Sequence, residues 1–78
     1  MADKIKKYLL KVSSYDSIKI EKVILLIGLM NFDTLDIIKM KGFKNRYRAR
    51  IGNHRIIFRI EDGRSIVEDL KNRDENTY

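Results

Sequence analysis

Apolar residues recur with a helical period over the first 30 positions of the chain. Near the N-terminus they keep the i, i+3, i+4, i+7 spacing of an amphipathic helix, at Ile5, Tyr8, Leu9 and Val12. Residues 13–17 are rich in N-cap and turn residues, and the apolar period then resumes over residues 20–30. This part of the sequence predicts a helical hairpin.

From residue 47 the apolar positions recur at every second residue, which is the period of a β-strand. The alternation over residues 47–60 is interrupted at Gly52-Asn53, which offers a two-residue hairpin turn. Asp62-Gly63 is a stronger hairpin signal, and a third strand is predicted after it. These segments predict a β-meander.

Residues 31–41 fit neither period, and we interpret them as a loop with a possible helical turn. Residues 1–78 are too few for two hydrophobic cores, so they form a single domain. The predicted fold is α+β, with the N-terminal helical hairpin packed on a small antiparallel meander of about three strands.

The two turns also fix which side chains share a face of the sheet. One face carries Arg48, Arg50, Arg55, Ile57 and Arg59, with Glu68 expected on the same side as either a base or a neutralising charge. The opposite face carries Tyr47, Ala49, Ile51, His54, Ile56, Phe58 and Ile60, which the helices would cover. His54 therefore points to the core side, where we expect a hydrogen-bonded histidine and not a catalytic one.

Composition restricts the class of protein. The chain has no cysteine, which excludes a disulfide framework and a thiolate nucleophile. Its longest nearly uncharged run is too short for a membrane span, so we expect a cytoplasmic protein without a membrane partner. The acidic residues lack metal-ligand spacing, and we expect no metal or other cofactor.

The net charge of +6 is concentrated in the middle of the chain. Residues 41–60 contain no acid and seven basic side chains: Lys41, Lys44, Arg46, Arg48, Arg50, Arg55 and Arg59. Like charges directly opposite on a sheet destabilise it, so an Arg50/Arg55 pair favours an anion-binding function. The alternative is a solvated face on which the arginine stems cover apolar neighbours.

The segment 40–60 closely resembles the core signature of the RelE/ParE superfamily of toxins from toxin–antitoxin modules. In that family a Leu-Lys-Gly leads through an aromatic-rich connection into Tyr-Arg-x-Arg, a glycine turn, and Tyr-Arg followed by hydrophobic residues. The corresponding residues here are Met40-Lys41-Gly42, Tyr47-Arg48-Ala49-Arg50, Gly52 and His54-Arg55-Ile56-Ile57-Phe58. The resemblance implies a RelE/ParE-like fold whose usual first strand is missing, because the first helix begins almost at Met1.

RelE-type members cleave mRNA in the ribosomal A site, and ParE-type members poison DNA gyrase. In the ribonucleases, cationic groups hold the scissile phosphate while the 2′-OH attacks, and a tyrosine stacks on a base; no metal is required. Residue by residue, the resemblance maps these catalytic roles to Arg48, Arg50, Arg55, Arg73 and Tyr78. The remaining basic residues of the middle segment are expected to bind nucleic acid: Lys41, Lys44, Arg46 and Arg59.

The leading hypothesis is therefore a RelE-type mRNA interferase, a metal-independent endoribonuclease. Its partners would be a cognate antitoxin protein and mRNA on the ribosome. The alternative is a non-cleaving member, either a ParE-type gyrase poison or a degenerate protein that retains only antitoxin or nucleic-acid binding. The sequence leaves both hypotheses open.

Overall fold

The computed structural model describes residues 3–72, which form two helices followed by four antiparallel strands. The helices are α1 (Asp3–Lys11) and α2 (Ser14–Gly28). The strands are β1 (Asp36–Lys39), β2 (Arg46–Ile51), β3 (His54–Glu61) and β4 (Arg64–Asn72), and they lie in the order β1-β2-β3-β4. The predicted α+β architecture is confirmed. Within residues 3–72, no helix combines the length and the apolar character that a bilayer crossing requires.

Ser13 separates the two helices, as the turn-rich sequence predicts. Its backbone is extended, with φ −62° and ψ 157°, and its side-chain oxygen accepts a hydrogen bond from the Asp16 N–H at 3.1 Å. This bond satisfies one of the free N–H groups at the start of α2, and such a cap stabilises a helix by about 1 kcal/mol. The cap thus sets where α2 begins.

The core lies between the two helices and one face of the sheet. Phe58 in β3 is fully buried, and its ring stacks against Phe32 and Tyr47 with centroid distances of 5.8 and 5.6 Å. The other buried members of this cluster are Ile5, Leu9, Ile20, Val23, Ile27, Ala49, Ile56 and Leu70. The face predicted to be apolar is therefore the one that the helices cover.

The segment 31–41, interpreted from the sequence as a loop, contains strand β1, so the sheet has four strands and not about three in the described residues. No helix forms in this segment, but a single hydrogen-bonded turn precedes the strand, since the Leu35 N–H donates to the Phe32 carbonyl at 3.0 Å. After it, Asp36 and Ile38 pair opposite Arg50 and Arg48. A strand of four residues is too short to show a period of its own, and pairing with β2 defines it.

The predicted register of the two hairpins is confirmed. Gly52 has φ +55°, which places a glycine at the first central position as a type II′ turn requires, and Arg50 pairs with Arg55. At the second turn Asp62 and Gly63 both have positive φ, 53° and 73°, as in a type I′ turn.

An irregularity follows in β4. Phe58 pairs with Val67 whereas Ile57 pairs with Asp69, so Glu68 is an extra residue in a β-bulge. The carboxylates of Glu68 and Asp69 are thus at the bulge and directly after it. Their ion pairs help to define the charge of the sheet's outer side.

Candidate nucleic-acid interface

The side of the sheet opposite the helices, which we name the arginine face, concentrates charged side chains from all four strands. By register and contacts its cations are Arg46, Arg48, Arg50, Arg55, Arg59 and Lys71, and its carboxylates are Asp36, Glu61, Glu68 and Asp69. Residues 46–60, which hold the arginines of β2 and β3, contain no acid, but Glu61 at the end of β3 and acids of both neighbouring strands reach the same face. Ion pairing therefore divides the arginines into two classes.

Arg46 and Arg59 belong to the paired class. The Arg46 Nε–H donates to Glu68 at 2.8 Å, and Arg59 donates to Glu61 and to Glu68, both at 2.9 Å. The hydrogen bond to Glu61, followed by the one to Glu68, raises the pKa of the Arg59 guanidinium above its usual value. These arginines are neutralised locally, which leaves them less free to bind an external anion.

Arg50 is also paired, at the other edge of the face. Its guanidinium lies 2.9 Å from the Asp36 carboxylate, and both side chains are exposed. The contact offsets the repulsion between Arg50 and its cross-strand partner Arg55. Because it is exposed, the pair is weak, and an incoming phosphate could compete with Asp36 for Arg50.

Arg48 and Arg55 form the second class, since neither makes an ion pair with any residue in 3–72. Their Nε–H groups are buried and have no hydrogen-bond partner among these residues. Buried donors are normally satisfied by protein groups or water, so these two Nε–H groups are exceptions on this face of the sheet. Arg48 and Arg55 are diagonal neighbours on adjacent strands, a relation that separates residues by about 7–8 Å, with the Cβ atoms somewhat closer.

One apolar residue, Ile57, supports part of the alternative interpretation, in which the arginine face is a solvated surface. Ile57 pairs directly with Arg48 and is only 2% exposed although it lies on the outer side of the sheet. Coverage by the stems of neighbouring arginines accounts for this burial, and it is the structural role proposed for a solvated basic face. Burial extends along each side chain as far as Nε, so the terminal amino groups of Arg48 and Arg55 are the donors that an anion can reach.

A pocket of about 290 Å³ opens beside the second of these arginines. It is lined by Asp36, Arg50, Gly52, His54 and Arg55. Its walls are mainly polar side chains, and two of them are the cross-strand arginine pair. The geometry can accept a phosphate group that approaches Arg55 from the β2–β3 turn.

His54 is on the core side, as predicted, and is held from two directions. The Tyr8 hydroxyl lies 2.7 Å from its Nδ1, and the Asp16 carboxylate lies 3.1 Å from its Nε2. Since a carboxylate can only accept, Nε2–H donates to Asp16, and Nδ1 then accepts from Tyr8 in a neutral ring. With 7% exposure, His54 joins the sheet to α1 and α2.

We expect His54→Leu to lower the free energy of unfolding by about 1–3 kcal/mol, because it removes the partner of two partly buried polar groups. Urea denaturation followed by circular dichroism measures this change. Tyr8→Phe, which deletes one of the two hydrogen bonds, is expected to cost about 0.5–1.5 kcal/mol. A His54→Leu change below about 0.5 kcal/mol would contradict the structural role.

The remaining candidate residues lie near the arginine face or outside the described part of the chain. Lys41 and Lys44 are exposed in the connection between β1 and β2. Arg73 and Tyr78 lie outside the described residues. The sequence did not single out Phe43 or Ile38, which lie close to Arg48; only the aromatic character of the β1–β2 connection could have indicated the first of them.

Comparison with solved structures identifies a similar fold. A comparison with protein-family models gives no match, and neither does a comparison with curated proteins. The structure titled as the RelB–RelE antitoxin–toxin complex from Methanococcus jannaschii contains a chain that is 28% identical, with a TM-score of 0.77. The similarity covers 92% of this chain and 87% of the other. The helical hairpin and antiparallel meander of this chain therefore form a RelE-like toxin fold.

Proposed function

We propose that this chain is the toxin component of a toxin–antitoxin pair and that its arginine face cleaves mRNA on the ribosome. The observation that carries the proposal is the pair Arg48 and Arg55 on adjacent strands, whose guanidinium groups have no partner among residues 3–72. Both fall within the segment whose sequence resembles the RelE family. The similarity to a chain of a solved antitoxin–toxin complex supports the same assignment.

In the proposed reaction the two arginines bind the non-bridging oxygens of one phosphate. The 2′-oxygen of the preceding ribose attacks phosphorus and loses its proton, while the bond from phosphorus to the 5′-oxygen breaks and that oxygen gains a proton. The products are a 2′,3′-cyclic phosphate and a 5′-hydroxyl. Negative charge grows on the phosphate oxygens in the transition state, and Arg48 and Arg55 stabilise it without having to reorganise.

The other mapped residues have supporting roles in this proposal. Arg50 exchanges Asp36 for the substrate and adds a third cation near the phosphate. From the family resemblance, Arg73 would supply a further cation and Tyr78 a surface on which a base stacks. Both assignments rest on sequence alone.

Of the two roles considered for Glu68, the structure favours the neutralising one. Its carboxylate accepts hydrogen bonds from Arg46 at 2.8 and 3.5 Å and from Arg59 at 2.9 Å. A general base must be placed to take up the proton that it removes, whereas hydrogen bonds from two arginines hold the Glu68 carboxylate. We therefore assign Glu68 to holding Arg46 and Arg59 in place beside the phosphate site.

The alternative is a non-cleaving member, a gyrase poison or a protein that only binds. The specific observation in its favour is that Asp36, Glu68 and Asp69 reduce the positive charge of the arginine face. Two assays on the same purified protein separate the hypotheses. Primer extension on mRNA bound to programmed ribosomes should show cleavage in the A site, and a DNA supercoiling assay should show active gyrase. Intact mRNA together with inhibited gyrase would support the gyrase-poison hypothesis.

The antitoxin would need a surface of its own, and the outer side of α2 offers one. We name it the α2 stripe: Tyr15, Ile18, Lys22, Leu25 and Leu29, spaced alternately by three and four residues. Its four apolar members are 62–71% exposed. An exposed apolar stripe at this spacing is the pattern by which one helix packs along another.

Charge favours an acidic segment of the antitoxin over a second copy of this chain. Lys22 lies in the middle of the α2 stripe, and Lys19 lies beside it, over the Tyr15 ring at 5.0 Å. In a symmetric antiparallel pairing centred on the stripe, Lys22 would face its own copy in an apolar interface. An amphipathic helix with glutamates or aspartates opposite these lysines would instead be attracted.

We expect Leu25→Asp to weaken binding of the neighbouring open reading frame's product at least about tenfold, because it places a charge in the centre of the stripe. Calorimetric titration measures the affinity. Leu10→Asp is the matched control, since Leu10 is 85% exposed on α1 and outside the stripe. Hydrogen-exchange protection on binding should appear in α2. Protection confined to the edge strands β1 or β4 would contradict this surface and indicate an added strand.

A further inference from the structure

A second pocket, of about 380 Å³, lies where β1 meets the connection to β2. It is lined by Ile38, Lys39, Met40, Lys41, Phe43 and Arg48. Three of these side chains are apolar and three are cationic, and no carboxylate lines the pocket. The volume falls in the range of small-molecule sites, which combine apolar walls with a few polar groups.

The aromatic ring of this pocket is held in place by an ion pair. The Arg46 guanidinium lies 4.9 Å from the centre of the Phe43 ring, and its Nε–H is bound to Glu68 at 2.8 Å. The backbone fixes the same connection, since the Met40 N–H donates to the Arg46 carbonyl at 3.0 Å. Phe43 remains 38% exposed, so the ring is oriented but not covered.

The cations of the pocket are available to an anion. Neither Lys39 nor Lys41 makes an ion pair with any residue in 3–72, and the buried Arg48 Nε–H has no partner there. An oriented aromatic ring beside three available cations matches a ligand with a flat ring and a negative charge. A nucleotide has both, whereas aliphatic anions lack the ring.

We infer that this pocket binds one nucleotide of single-stranded RNA, with the base against Phe43 and the phosphate between Arg48 and Lys41. RNA is favoured over an acidic peptide because Arg48 belongs to both this pocket and the arginine face. A strand lying across the face could thus place one phosphate at Arg48 and Arg55 and the adjacent nucleotide in the pocket. The inference deepens the proposed function and rests on it for the choice of RNA.

The test uses ¹⁵N-labelled protein and a hexamer of adenosine ribonucleotides. The hexamer should shift the amide signals of residues 41–45, because the base packs on this connection. An abasic hexamer with the same number of phosphates should leave these signals nearly unchanged. Phe43→Leu should weaken hexamer affinity roughly 5- to 150-fold, the range expected for loss of one stacked base, and Phe43→Tyr should retain it.

Ile66→Ala is the matched control, because Ile66 is also 38% exposed, lies on the same side of the sheet, and is at the opposite edge. It should leave affinity unchanged. Equal losses for Phe43→Leu and Ile66→Ala, or equal shifts with the abasic hexamer, would overturn the inference. So would a larger shift of residues 41–45 by an acidic peptide carrying one aromatic residue.

The pocket and the proposed function can fail separately. If the wild-type protein cleaves ribosome-bound mRNA but the hexamer does not shift residues 41–45, the nucleotide pocket is wrong and the function stands. If the hexamer binds through Phe43 but mRNA stays intact, the pocket stands and the cleavage proposal is wrong.

Discussion

Arg55→Ala should lower the rate of single-turnover mRNA cleavage by roughly 10²- to 10³-fold. Loss of one donor to a transition-state oxyanion typically has this effect. Arg55 has the geometry of such a donor, since it makes no ion pair among the described residues and is a diagonal neighbour of Arg48. Ribosome affinity should change little, because the other cations of the face remain. Quenched-flow cleavage on pre-bound ribosomes measures the chemical step.

The control for this experiment must remove one positive charge from a position outside the proposed phosphate site. Arg64 is exposed at the start of β4 and makes no ion pair within residues 3–72. Arg64→Ala should weaken binding slightly and reduce its salt dependence without slowing cleavage. Arg59 is a poorer control because its loss would also release Glu61 and Glu68. Equal effects of Arg55→Ala and Arg64→Ala on rate would show that the face only binds.

Phe58→Ala should strongly destabilise the protein. Phe58 is fully buried between the Phe32 and Tyr47 rings, and a buried Phe→Ala change costs about 3–5 kcal/mol. A domain of 78 residues has a total stability of about 4–12 kcal/mol. The substitution therefore removes a large share of it, and urea denaturation measures the loss.

A second phenylalanine provides the comparison for Phe58. Phe43 is 38% exposed and lies outside the core cluster, so Phe43→Ala should cost less than about 1 kcal/mol. If Phe58→Ala is within about 1 kcal/mol of the wild type, the core is not organised around Phe58. Burial of Phe58 would then not be what stabilises the predicted pairing of β2 with β3.

The hairpins could be predicted because their turn residues identify the positions of the loops. Gly52 and the Asp62-Gly63 pair adopt positive φ, so they fix the loop positions, and the alternation of side chains then follows. The arginine face and the buried position of Phe58 were predictable for the same reason.

The ion pairs of the face could not be predicted. Asp36 reaches Arg50 through β1, a strand too short to show a period. Glu68 was expected on the face, but its bond to Arg46 crosses the intervening strand β3, and the bulge that leaves Glu68 unpaired has no signal in the sequence. The division into paired and unpaired arginines, and the pocket at Phe43, depend on these tertiary contacts. The sequence alone therefore showed where the cations lie but not which of them are free.

The chemical form of the cut end tests the central claim most directly. Wild-type protein is incubated with ribosomes that hold a defined mRNA, and the upstream fragment is analysed by mass spectrometry. Attack by the 2′-OH at a phosphate held by Arg48 and Arg55 predicts a fragment that ends in a 2′,3′-cyclic phosphate within the A-site codon. Intact mRNA, or a fragment with a 3′-hydroxyl end, would contradict the proposed reaction.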